Sequence, residues 1–578
     1  MITMRKNLLV SFVTAALVAG TGSAATFTII NLDGAGEGFN DATPAVPVGG
    51  NPGLTVGAQR LNAFQFAADL WGSLLDSDVD IRIQGAFNPL TCTATSAVLG
   101  SAGALTISSD FPNSDFAATW YQGALANKLI GADDDGGTSN EINAQFNSNL
   151  NGAPTCLGGT GWYYGFDALH GANIDLVTVL LHEFGHGLGF ANFVSETTGA
   201  NFNGPPQQTD VYSQFTRDNT LGQTWAQINP LAANNAAIQA SALRCGQISW
   251  SGQNVTNAVA AGALQLGSPQ LTVATPAAVA GAYQVGAAAF GPALSNPGVS
   301  GTVVQALDPA DGAGPTTFDA CSPLTNAAAV LGNIAIVDRG TCGFVVKAAN
   351  VQAAGATAML VADNAAGCPP AALGGADPSI TIPAVRLTLP DGVAIKAQLG
   401  AGVTATVGVN AAARAGADSS NRALLAALNP VVTGSSISHF DSSHFPNSLM
   451  EPSINPDLTS SVDLTEALFR DIGWLPQNLG VPSTGPSARV ALASRPNPAR
   501  GNTLVHFELA SDESVELTLF DLSGRQVRSL MKGPLAAGPH DVAWDGIDNA
   551  GRPAAPGVYL ARLKGVRTQA THHIVLMN

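Results

Sequence analysis

Two histidines at helical spacing constrain this chain more than any other feature of its sequence. They are His182 and His186, and Glu183 directly follows the first of them. Positions four apart on a helix share one face, so both imidazoles can bind one metal ion while the carboxylate lies beside them. Catalytic zinc sites use this arrangement, and the glutamate takes a proton from water that the metal makes acidic. The motif therefore predicts the chemistry of a zinc peptidase.

The residues around the motif favour the helix that it requires. Residues 174–181 form an apolar run that can begin a buried helix, and either Asn173 or Asp175 could cap it. Glycines follow the second histidine and allow the helix to end soon afterwards. An accidental match is the alternative. It is disfavoured because the chain has only nine histidines and the motif stands in a helical context.

A third ligand must come from elsewhere in the chain, since catalytic zinc normally has three protein ligands. His439 is the best candidate, His444 is its rival, and Asp210 is a more distant alternative. Each carries a nitrogen or carboxylate donor that zinc accepts. The donor chemistry alone leaves the choice among them open.

The surroundings of these candidates resemble one peptidase family. Gly189 and a phenylalanine follow the two-histidine motif, and Ser438-His439-Phe440 stands shortly before Met450. This pattern resembles the leishmanolysin-type metzincins, in which a long insertion separates the motif from the third zinc histidine and its Met-turn. In the common metzincin pattern the third histidine would occupy position 192. This chain has Asn192 there, a poor zinc donor beside imidazole that we expect to face away from the metal.

The resemblance implies a role for each of five residues. His182, His186 and His439 would bind zinc, with their side-chain nitrogens converging on one point. Glu183 would be the general base, and Met450 would lie beneath the metal.

The first 25 residues have the composition of a secretory signal peptide. Arg5 and Lys6 precede an apolar run over residues 8–18, and cleavage is expected after Ala24 or Ala25. The apolar run is too short to span a bilayer, and glycine, proline or polar residues interrupt every later one. We expect a secreted protein, extracellular or at the cell surface, without a transmembrane segment after signal removal. The short distance to the first predicted helix leaves no room for a long inhibitory propeptide.

The composition and net charge of the chain limit the classes of partner that it can bind. Only 11% of residues are charged, yet the formal net charge is −17. An acidic surface that is poor in lysine argues against binding of nucleic acids or anionic membranes. The expected partners are protein or peptide substrates, and we expect the protein to be a monomer. Residues 133–135 and the trio Asp33, Glu37 and Asp41 are candidate calcium sites, with ordinary solvated loops as the alternative.

Six cysteines, an even number in an exported chain, predict disulfides rather than thiol chemistry. The pairing that we favour is Cys92 with Cys156, Cys321 with Cys342, and Cys245 with Cys368. The sequence leaves the other possible pairings of the six cysteines open.

The residues before the motif predict a helix and a small sheet. Apolar positions recur at helical spacing over residues 55–75, with Leu61, Phe64, Ala68 and Trp71 on one face, and residues 79–83 alternate like a strand. Further strand material lies at residues 104–107 and 120–121. This order resembles the amino-terminal half of a zincin, whose sheet edge would receive a peptide substrate as an extra strand.

The segment between the motif and His439 contains a second unit. Residues 332–361 predict a strand, a helix and a second strand in order, and residues 377–385 predict a later strand. The pattern resembles the protease-associated (PA) domain. The resemblance implies a role in substrate access or partner binding at the rim of the cleft.

The carboxyl-terminal part predicts a helix, a linker and a sandwich. Residues 464–474 read as an amphipathic helix that closes the catalytic domain, and a linker rich in Pro, Gly and Ser follows. Four segments within residues 503–563 alternate like strands of a small β-sandwich. Their turns resemble the Ig-like module of flagellar hook-cap proteins and related sorting domains.

We therefore predict an α+β multidomain protein with a metzincin-like zincin catalytic domain, an inserted α/β PA domain and an all-β Ig-like sandwich. The predicted function is a secreted zinc-dependent endopeptidase with Glu183 as general base. The alternative is a secreted binding or adhesive protein with a structural or inactive zinc site. The predicted divisions are a signal peptide at 1–25, a catalytic domain at 26–245 plus 422–476, an insertion at 246–421, a linker at 477–490 and the Ig-like domain at 491–578.

Overall fold

The computed structural model describes residues 24–202, 207–230, 234–455, 458 and 461–475. Toward the carboxyl terminus it describes residues 492–495, 499, 501–509, 512–521, 525–555, 557–565 and 569–576. Residues 1–23 of the predicted signal peptide and the predicted linker at 477–490 lie outside the described residues. Within the described residues, no helix is long and apolar enough to cross a bilayer.

The first hydrophobic core is built from residues 25–264 and 423–475. It holds the two-histidine motif on its third helix. The elements that precede residue 265 are β1 (Phe27–Asn31), α1 (Val56–Leu74), β2 (Ile81–Asn88), β3 (Gly100–Ala104), β4 (Ile107–Ser109), β5 (Thr119–Gln122), α2 (Gly123–Ile130), β6 (Ile142–Asn147), β7 (Trp162–Tyr163), β8 (Ile174–Asp175), α3 (Leu176–Leu188), β9 (Thr209–Asp210), β10 (Thr216–Asp218), β11 (Gln223–Thr224), α4 (Trp225–Ile228), α5 (Asn235–Ala242), β12 (Ile248–Trp250) and α6 (Gln253–Ala260).

Helix α1 follows the prediction for residues 55–75. The Thr55 hydroxyl oxygen accepts a hydrogen bond from the backbone N–H of Ala58 at 3.1 Å, which caps the helix. Phe64 and Trp71 are fully buried, as their spacing predicts. The prediction for Leu61 is wrong, because its side chain is 40% exposed. It stands on the edge of the apolar stripe, roughly 50° from the centre of the other three positions at 100° per residue.

A four-stranded sheet supports the two long helices. Its strand order is β1-β2-β6-β3, in which the first three strands are parallel and β3 runs antiparallel to β6 at the edge. Trp71 of α1 donates its indole N–H to the carbonyl of Leu181 in α3 at 3.1 Å. A Cβ on Gly187 would approach the Ile142 side chain to 2.5 Å, so α3 lies directly on β6. The absence of a side chain at Gly187 permits this contact.

The second unit is an eight-stranded sheet with cores on both faces. Strands β17 (Ile334–Asp338), β18 (Ala358–Ala362) and β19 (Ala384–Leu387) are parallel, which confirms the predicted strand-helix-strand unit. Its elements are β13 (Leu266–Thr275), β14 (Gly281–Gln284), β15 (Gly286–Ala287), β16 (Val299–Gln305), α7 (Ala327–Val330), β17 (Ile334–Asp338), α8 (Phe344–Ala353), β18 (Ala358–Ala362), β19 (Ala384–Leu387), α9 (Leu389–Ala397) and β20 (Thr404–Arg414).

The strand predicted at residues 377–385 is found only in its last two residues. β19 begins at Ala384, directly after Pro383. Proline has no N–H to donate to a neighbouring strand, so the ladder starts after it.

The sequence-based limits of the insertion, 246–421, differ from the limits of its cores. Trp250 and Val255 belong to the first core, and the Trp250 indole N–H donates to Asp471 at 2.9 Å. The Ala415 N–H donates to the carbonyl of Gln265 at 2.9 Å, so the two ends of the second unit are adjacent. We therefore propose residues 266–414 as the insertion.

Helix α10 and seven strands complete the described chain. The elements are α10 (Asp463–Ile472), β21 (Ala493–Arg495), β22 (Thr503–Leu509), β23 (Glu513–Asp521), β24 (Gln526–Leu535), β25 (Gly538–Trp544), β26 (Gly557–Gly565) and β27 (Gln569–Leu576). The strands form two antiparallel sheets, β21-β22-β25 and β24-β23-β26-β27, around a separate core. They match the predicted sandwich.

Helix α10 closes the first core, as predicted. Gly473 ends it with a positive φ of 110°, which favours glycine. The indole N–H of the next residue, Trp474, donates to the carbonyl of Leu188 at the end of α3, at 2.7 Å. The end of the motif helix is thereby tied to the carboxyl-terminal part of its domain.

All six cysteines form disulfides, in the pairing that the sequence favoured. Cys92 pairs with Cys156, Cys245 with Cys368, and Cys321 with Cys342. The second of these joins the first core to the insertion.

Candidate metal centre and cleft

The start of α3 depends on one aspartate. Asp175 accepts hydrogen bonds from the backbone N–H of Val177 and from the Thr178 hydroxyl, both at 3.0 Å. Asn173, the other predicted cap, instead accepts a hydrogen bond from Gly161. All thirteen residues of α3 are buried. The helix therefore carries its two histidines through the interior of the domain.

The end of α3 depends on one glycine. Gly189 has a φ of 136°, and a Cβ there would lie 2.6 Å from the Ile472 side chain. Glycine alone tolerates both constraints. The chain turns at this residue, and the carbonyl of Phe190 comes back toward the His186 ring.

Three imidazoles meet at one place. The Nε2 atoms of His182 and His186 are 3.2 Å apart, those of His186 and His439 are 3.3 Å apart, and those of His439 and His182 are 3.2 Å apart. All three side chains are buried. The structure thus brings together the three histidines that the sequence nominated. That they bind a metal stays a prediction.

Backbone carbonyls set the proton position on each ring. His182 Nδ1 lies 2.7 Å from the carbonyl oxygen of Leu449, His186 Nδ1 lies 2.7 Å from that of Phe190, and His439 Nδ1 lies 2.9 Å from that of Ser435. A carbonyl oxygen can only accept, so each Nδ1 must carry the hydrogen. In the neutral rings each Nε2 then presents a lone pair. The three contacts among Nε2 atoms are therefore not hydrogen bonds.

This arrangement fits a zinc ion. Nitrogens that bind tetrahedral zinc at about 2.0–2.1 Å lie about 3.3 Å from one another, close to the separations observed. Burial lowers the pKa of His182 to about 4 and that of His186 to about 3, and it also lowers the pKa of His439. All three rings are neutral at pH 7, which is the state that metal binding requires.

Glu183 lies next to the histidines. Its side chain is buried, and its carboxyl group lies beside the backbone N–H of Ala102 in the edge strand β3, which lowers its pKa in part. Burial raises the pKa of the Glu183 carboxyl to about 8. A cation bound by the histidines would stabilise the carboxylate and oppose this shift.

Met450 packs under the motif helix. A Cβ on Gly185 would lie 2.9 Å from the Met450 sulfur, so the thioether occupies the space that this glycine leaves. The Met450 carbonyl accepts a hydrogen bond from the N–H of Phe440 at 2.8 Å. The segment that carries His439 is therefore anchored to the turn that carries Met450.

Asn192 lies outside the histidine trio. Its side-chain oxygen accepts a hydrogen bond from the Ser438 hydroxyl at 2.7 Å, and its backbone N–H donates to the same hydroxyl at 3.2 Å. Asn192 thus connects the segment after α3 to the residue beside His439. The sequence marks Asn192 only as a missing ligand and carries no signal for this contact.

The two alternative ligands also lie outside the trio. His444 is buried, with Nδ1 2.8 Å from the Ser448 hydroxyl and Nε2 3.2 Å from the Leu424 carbonyl. Asp210 accepts hydrogen bonds from the backbone of Phe193 and Ser213. Both side chains have structural partners of their own.

The backbone carbonyls of Leu449 and Ser435, which hold two of the rings, were not predicted. A backbone carbonyl is present at every position, so no residue type marks it in the sequence.

The candidate calcium clusters have protein partners. Asp33 accepts hydrogen bonds from the backbone N–H groups of Phe39 and Phe87, at 2.7 and 2.8 Å. Asp133 pairs with Arg82 at 3.2 Å, and Asp135 accepts from two backbone N–H groups. Within the described part of the chain, the histidine trio is the one cluster of three or more His, Cys, Asp or Glu side chains whose ligand atoms are close enough to bind one metal ion.

The trio and Glu183 lie in a cleft of about 1380 Å³. Residues of β3 and the segment before it line one part, and residues 191–202 line another. Ser435, Ser438 and Ile454 contribute further lining. The cleft is large enough for several residues of an extended peptide.

Two stretches of the chain match known domain families. Residues 299–395 match the PA domain, and residues 496–569 match the FlgD Ig-like domain. The predicted PA domain and Ig-like module are thereby confirmed, and the chain is a mixed α/β multidomain protein. The resemblance to leishmanolysin-type metzincins stays a prediction.

Similar proteins share only part of this chain. Signal peptide peptidase-like 2 of Arabidopsis thaliana is 38% identical over 86 residues, which are 14% of this chain and 15% of that protein. The minor extracellular protease Vpr of Bacillus subtilis (strain 168) is 39% identical over 75 residues, which are 13% of this chain and 9% of that protein.

Two solved structures show local likeness. An aminopeptidase from Aneurinibacillus sp. strain AM-1 is 26% identical, covers 25% of this chain and 31% of its own, and has a TM-score of 0.20. BSAP, a zinc aminopeptidase from Bacillus subtilis, is 19% identical, covers 27% of this chain and 36% of its own, and has a TM-score of 0.19.

Proposed function

We propose that this protein is a secreted zinc-dependent endopeptidase. One observation carries the proposal: three imidazole nitrogens with free lone pairs lie 3.2–3.3 Å apart beside a buried carboxylate, in a large cleft. Three acceptors in mutual contact repel one another unless a cation lies between them. The three disulfides agree with secretion into an oxidising compartment.

The histidines His182, His186 and His439 would hold the zinc ion. Zinc bound there would act as a Lewis acid that lowers the pKa of water and polarises a peptide carbonyl. The hydrogen bond from each Nδ1 to a carbonyl oxygen keeps the ring oriented and its Nε2 unprotonated.

Glu183 would move the proton. As a carboxylate it would accept a proton from the attacking water, and it would then donate this proton to the amine that leaves. The N–H of Ala102 orients the carboxylate, and burial keeps bulk water from competing for it. Glu183 and the peptide substrate would thus be aligned by the same strand.

The edge strand β3 would hold the substrate. One side of β3 pairs with β6, and its residues Gly100, Ser101 and Ala102 line the cleft. An extended peptide could add to this edge through main-chain hydrogen bonds. It would run beside Glu183, because Ala102 belongs to that strand.

A binding or adhesive protein with a structural zinc site is the second candidate. The buried Glu183 and the open cleft favour the enzyme, because a structural zinc site is normally closed by four protein ligands. Among the described residues the cluster has three members.

Metal content and proteolysis of the purified mature protein test the proposal. We expect one zinc ion per chain by elemental analysis, cleavage of casein or gelatin, and loss of cleavage with a chelator that added zinc reverses. A protein that binds zinc but cleaves neither substrate would support the second candidate instead.

A further inference from the structure

Glu196 is a second acidic residue in the cleft, away from the catalytic carboxylate. It lies in the segment 191–202 that follows α3, and its side chain is half-buried. Among the described residues it forms an ion pair with no lysine or arginine. A desolvated carboxylate without a cationic partner costs free energy, so its retention in a cleft calls for a function.

Asn192 connects the surroundings of Glu196 to the metal centre. The Asn192 side-chain amide lies beside the Glu196 carboxyl group and donates a hydrogen bond to the carbonyl of Val194 at 3.3 Å. The oxygen of the same amide accepts from Ser438, the neighbour of His439. Glu196 is therefore held close to the place where a substrate would be cleaved.

The charge of the cleft is uniform. The described lining of the cleft holds two carboxyl groups, those of Glu183 and Glu196, and no lysine or arginine. Two aromatic side chains, Phe193 and Phe202, line the same segment with ring centroids 6.2 Å apart, and Phe202 is 45% exposed. A carboxylate near exposed aromatic surface suits a group with an apolar stem and a cationic end.

We propose that Glu196 is a specificity-determining residue that binds a cationic group of the peptide substrate next to the scissile bond. The group is an ammonium or a guanidinium, and it comes from a lysine or arginine side chain or from a free amino terminus. This inference rests on the proposed peptidase function and names the substrate class of that site.

The test compares matched peptides with wild-type protein and two variants. One series of fluorogenic peptides has blocked termini and a single arginine moved along a neutral sequence, with glutamine at the same position as reference. A second series has no basic side chain and carries either a free or an acetylated amino terminus. Glu196→Gln removes the charge and keeps the shape. Glu516→Gln is the matched control, because it makes the same change at a partly exposed glutamate in the Ig-like domain, outside the cleft.

We expect wild-type protein to prefer a cationic peptide by about tenfold to hundredfold in kcat/KM, the usual effect of a hydrogen bond to a charged group. Glu196→Gln should reduce this ratio to near one, mainly through KM, while its zinc content stays that of the wild type. Glu516→Gln should keep the ratio. If the preference is found in the arginine series, the cation is a side chain; if it is found in the series with free and acetylated termini, the cation is the amino terminus.

Three results separate the possibilities. A preference that survives Glu196→Gln, or wild-type cleavage without any charge preference, overturns this inference and leaves the peptidase assignment intact. Absence of all cleavage by metal-loaded wild-type protein overturns the proposed function itself. If Glu196→Gln loses zinc, the ratio of kcat/KM for cationic over neutral peptides is measured with wild-type protein at several ionic strengths. A ratio that falls with added salt supports an ion pair in the open cleft, and a ratio that does not change overturns the inference.

Discussion

At the scale of single residues, the candidate site depends on which atoms can carry protons. Each histidine of the trio donates Nδ1–H to a backbone carbonyl, which leaves its Nε2 free for a metal. Glu183 is buried beside the trio, and desolvation raises the pKa of its carboxyl group. The positions proposed to bind the metal and the position proposed to transfer a proton are chemically distinct, so substitutions should separate the two roles.

Glu183→Ala should remove catalysis and keep the metal. The general base is lost while the three histidines are unchanged, so we expect peptide hydrolysis to fall by about 10²–10⁴-fold or more. Zinc stoichiometry by elemental analysis and kcat on a fluorogenic peptide measure the two effects. Near wild-type turnover would move the reaction to another site.

His439→Ala should weaken zinc binding and abolish hydrolysis, because it removes one of three acceptors that meet at 3.2–3.3 Å. His444→Ala is the matched control. Its partners are Ser448 and Leu424, so we expect a lower melting temperature and an unchanged zinc stoichiometry. Zinc loss in His444→Ala at a temperature where it is folded would contradict the assignment of the third ligand.

At the scale of secondary-structure elements, close contacts position the motif helix. Gly185 faces Met450, and Gly187 faces Ile142 of the central strand β6. Both glycines lie in the last turn of α3, where glycine costs up to about 1 kcal/mol relative to alanine. The contacts with the sheet and with the Met450 turn explain why alanine is not used.

Alanine at these two glycines should destabilise the fold unequally. A Cβ at position 187 would lie 2.5–3.0 Å from three atoms of the branched Ile142, whereas at position 185 it meets the flexible end of Met450 at 2.9 and 3.3 Å. We expect Gly187→Ala to lower the free energy of unfolding by about 1–3 kcal/mol and Gly185→Ala by less. Gly312→Ala, in a loop with open space around its Cβ, is the control. Denaturant titration measures all three, and the reverse order would show that α3 can move away from β6.

The turn between Met450 and α10 predicts a dependence of stability on pH. Asp463 is exposed as a residue, but its carboxylate accepts a hydrogen bond from the Leu449 N–H at 2.5 Å, and desolvation of the carboxyl group raises its pKa from 3.8 to about 6. The folded state then binds the proton more tightly than the unfolded state. The contribution of Asp463 to the free energy of unfolding is therefore largest below pH about 4 and falls as the pH rises to about 6.

Asp463→Asn should flatten this part of the pH profile. Denaturant titrations between pH 4 and 6 compare the variant with Asp78→Asn, a change at an exposed aspartate. The slope should fall in Asp463→Asn and stay that of the wild type in the control. An unchanged slope in both would assign the titration to other carboxyls.

At the scale of the whole molecule, the insertion and the first core are joined by a disulfide and by backbone hydrogen bonds. The Cys245–Cys368 disulfide joins the two, and the backbone N–H and C=O groups of Cys368 and Asn429 pair with each other. Asn429 precedes Ser435 and His439 by only a few residues. The insertion thus touches the segment that supplies the third histidine.

Excision of residues 266–414 should preserve zinc binding and change substrate preference. A short linker can join residues 265 and 415, since their backbone groups are hydrogen-bonded at 2.9 Å. We expect activity on large proteins to change more than activity on short peptides. The excised chain carries Cys245→Ser, and the matched control is the full chain with both Cys245→Ser and Cys368→Ser. Zinc loss in the excised chain, but not in the control, would make the insertion part of the catalytic core.

The local elements could be predicted from the residues that form them. Capping residues and apolar periodicity act within a few positions, so α1, α3, α10 and the β17-α8-β18 unit were predictable from the residues that form them. The spacing of His182 and His186 determined that both lie on one face of α3. The choice of Asp175 over Asn173 as the cap was not predictable, because both are good caps and their contacts with other loops decide between them.

The contacts that join distant parts of the chain could not be predicted from the sequence, because they depend on how the elements pack. The third histidine stands 253 residues after His186, and the segment that carries it reaches the motif helix through backbone contacts that no residue type marks. The same cause explains three further features that were not predicted. They are the exposed position of Leu61, the packing of Trp250 in the first core and the hydrogen bond between Asn192 and Ser438. Such contacts depend on how whole elements pack, whereas sequence patterns record only the preferences of neighbouring residues.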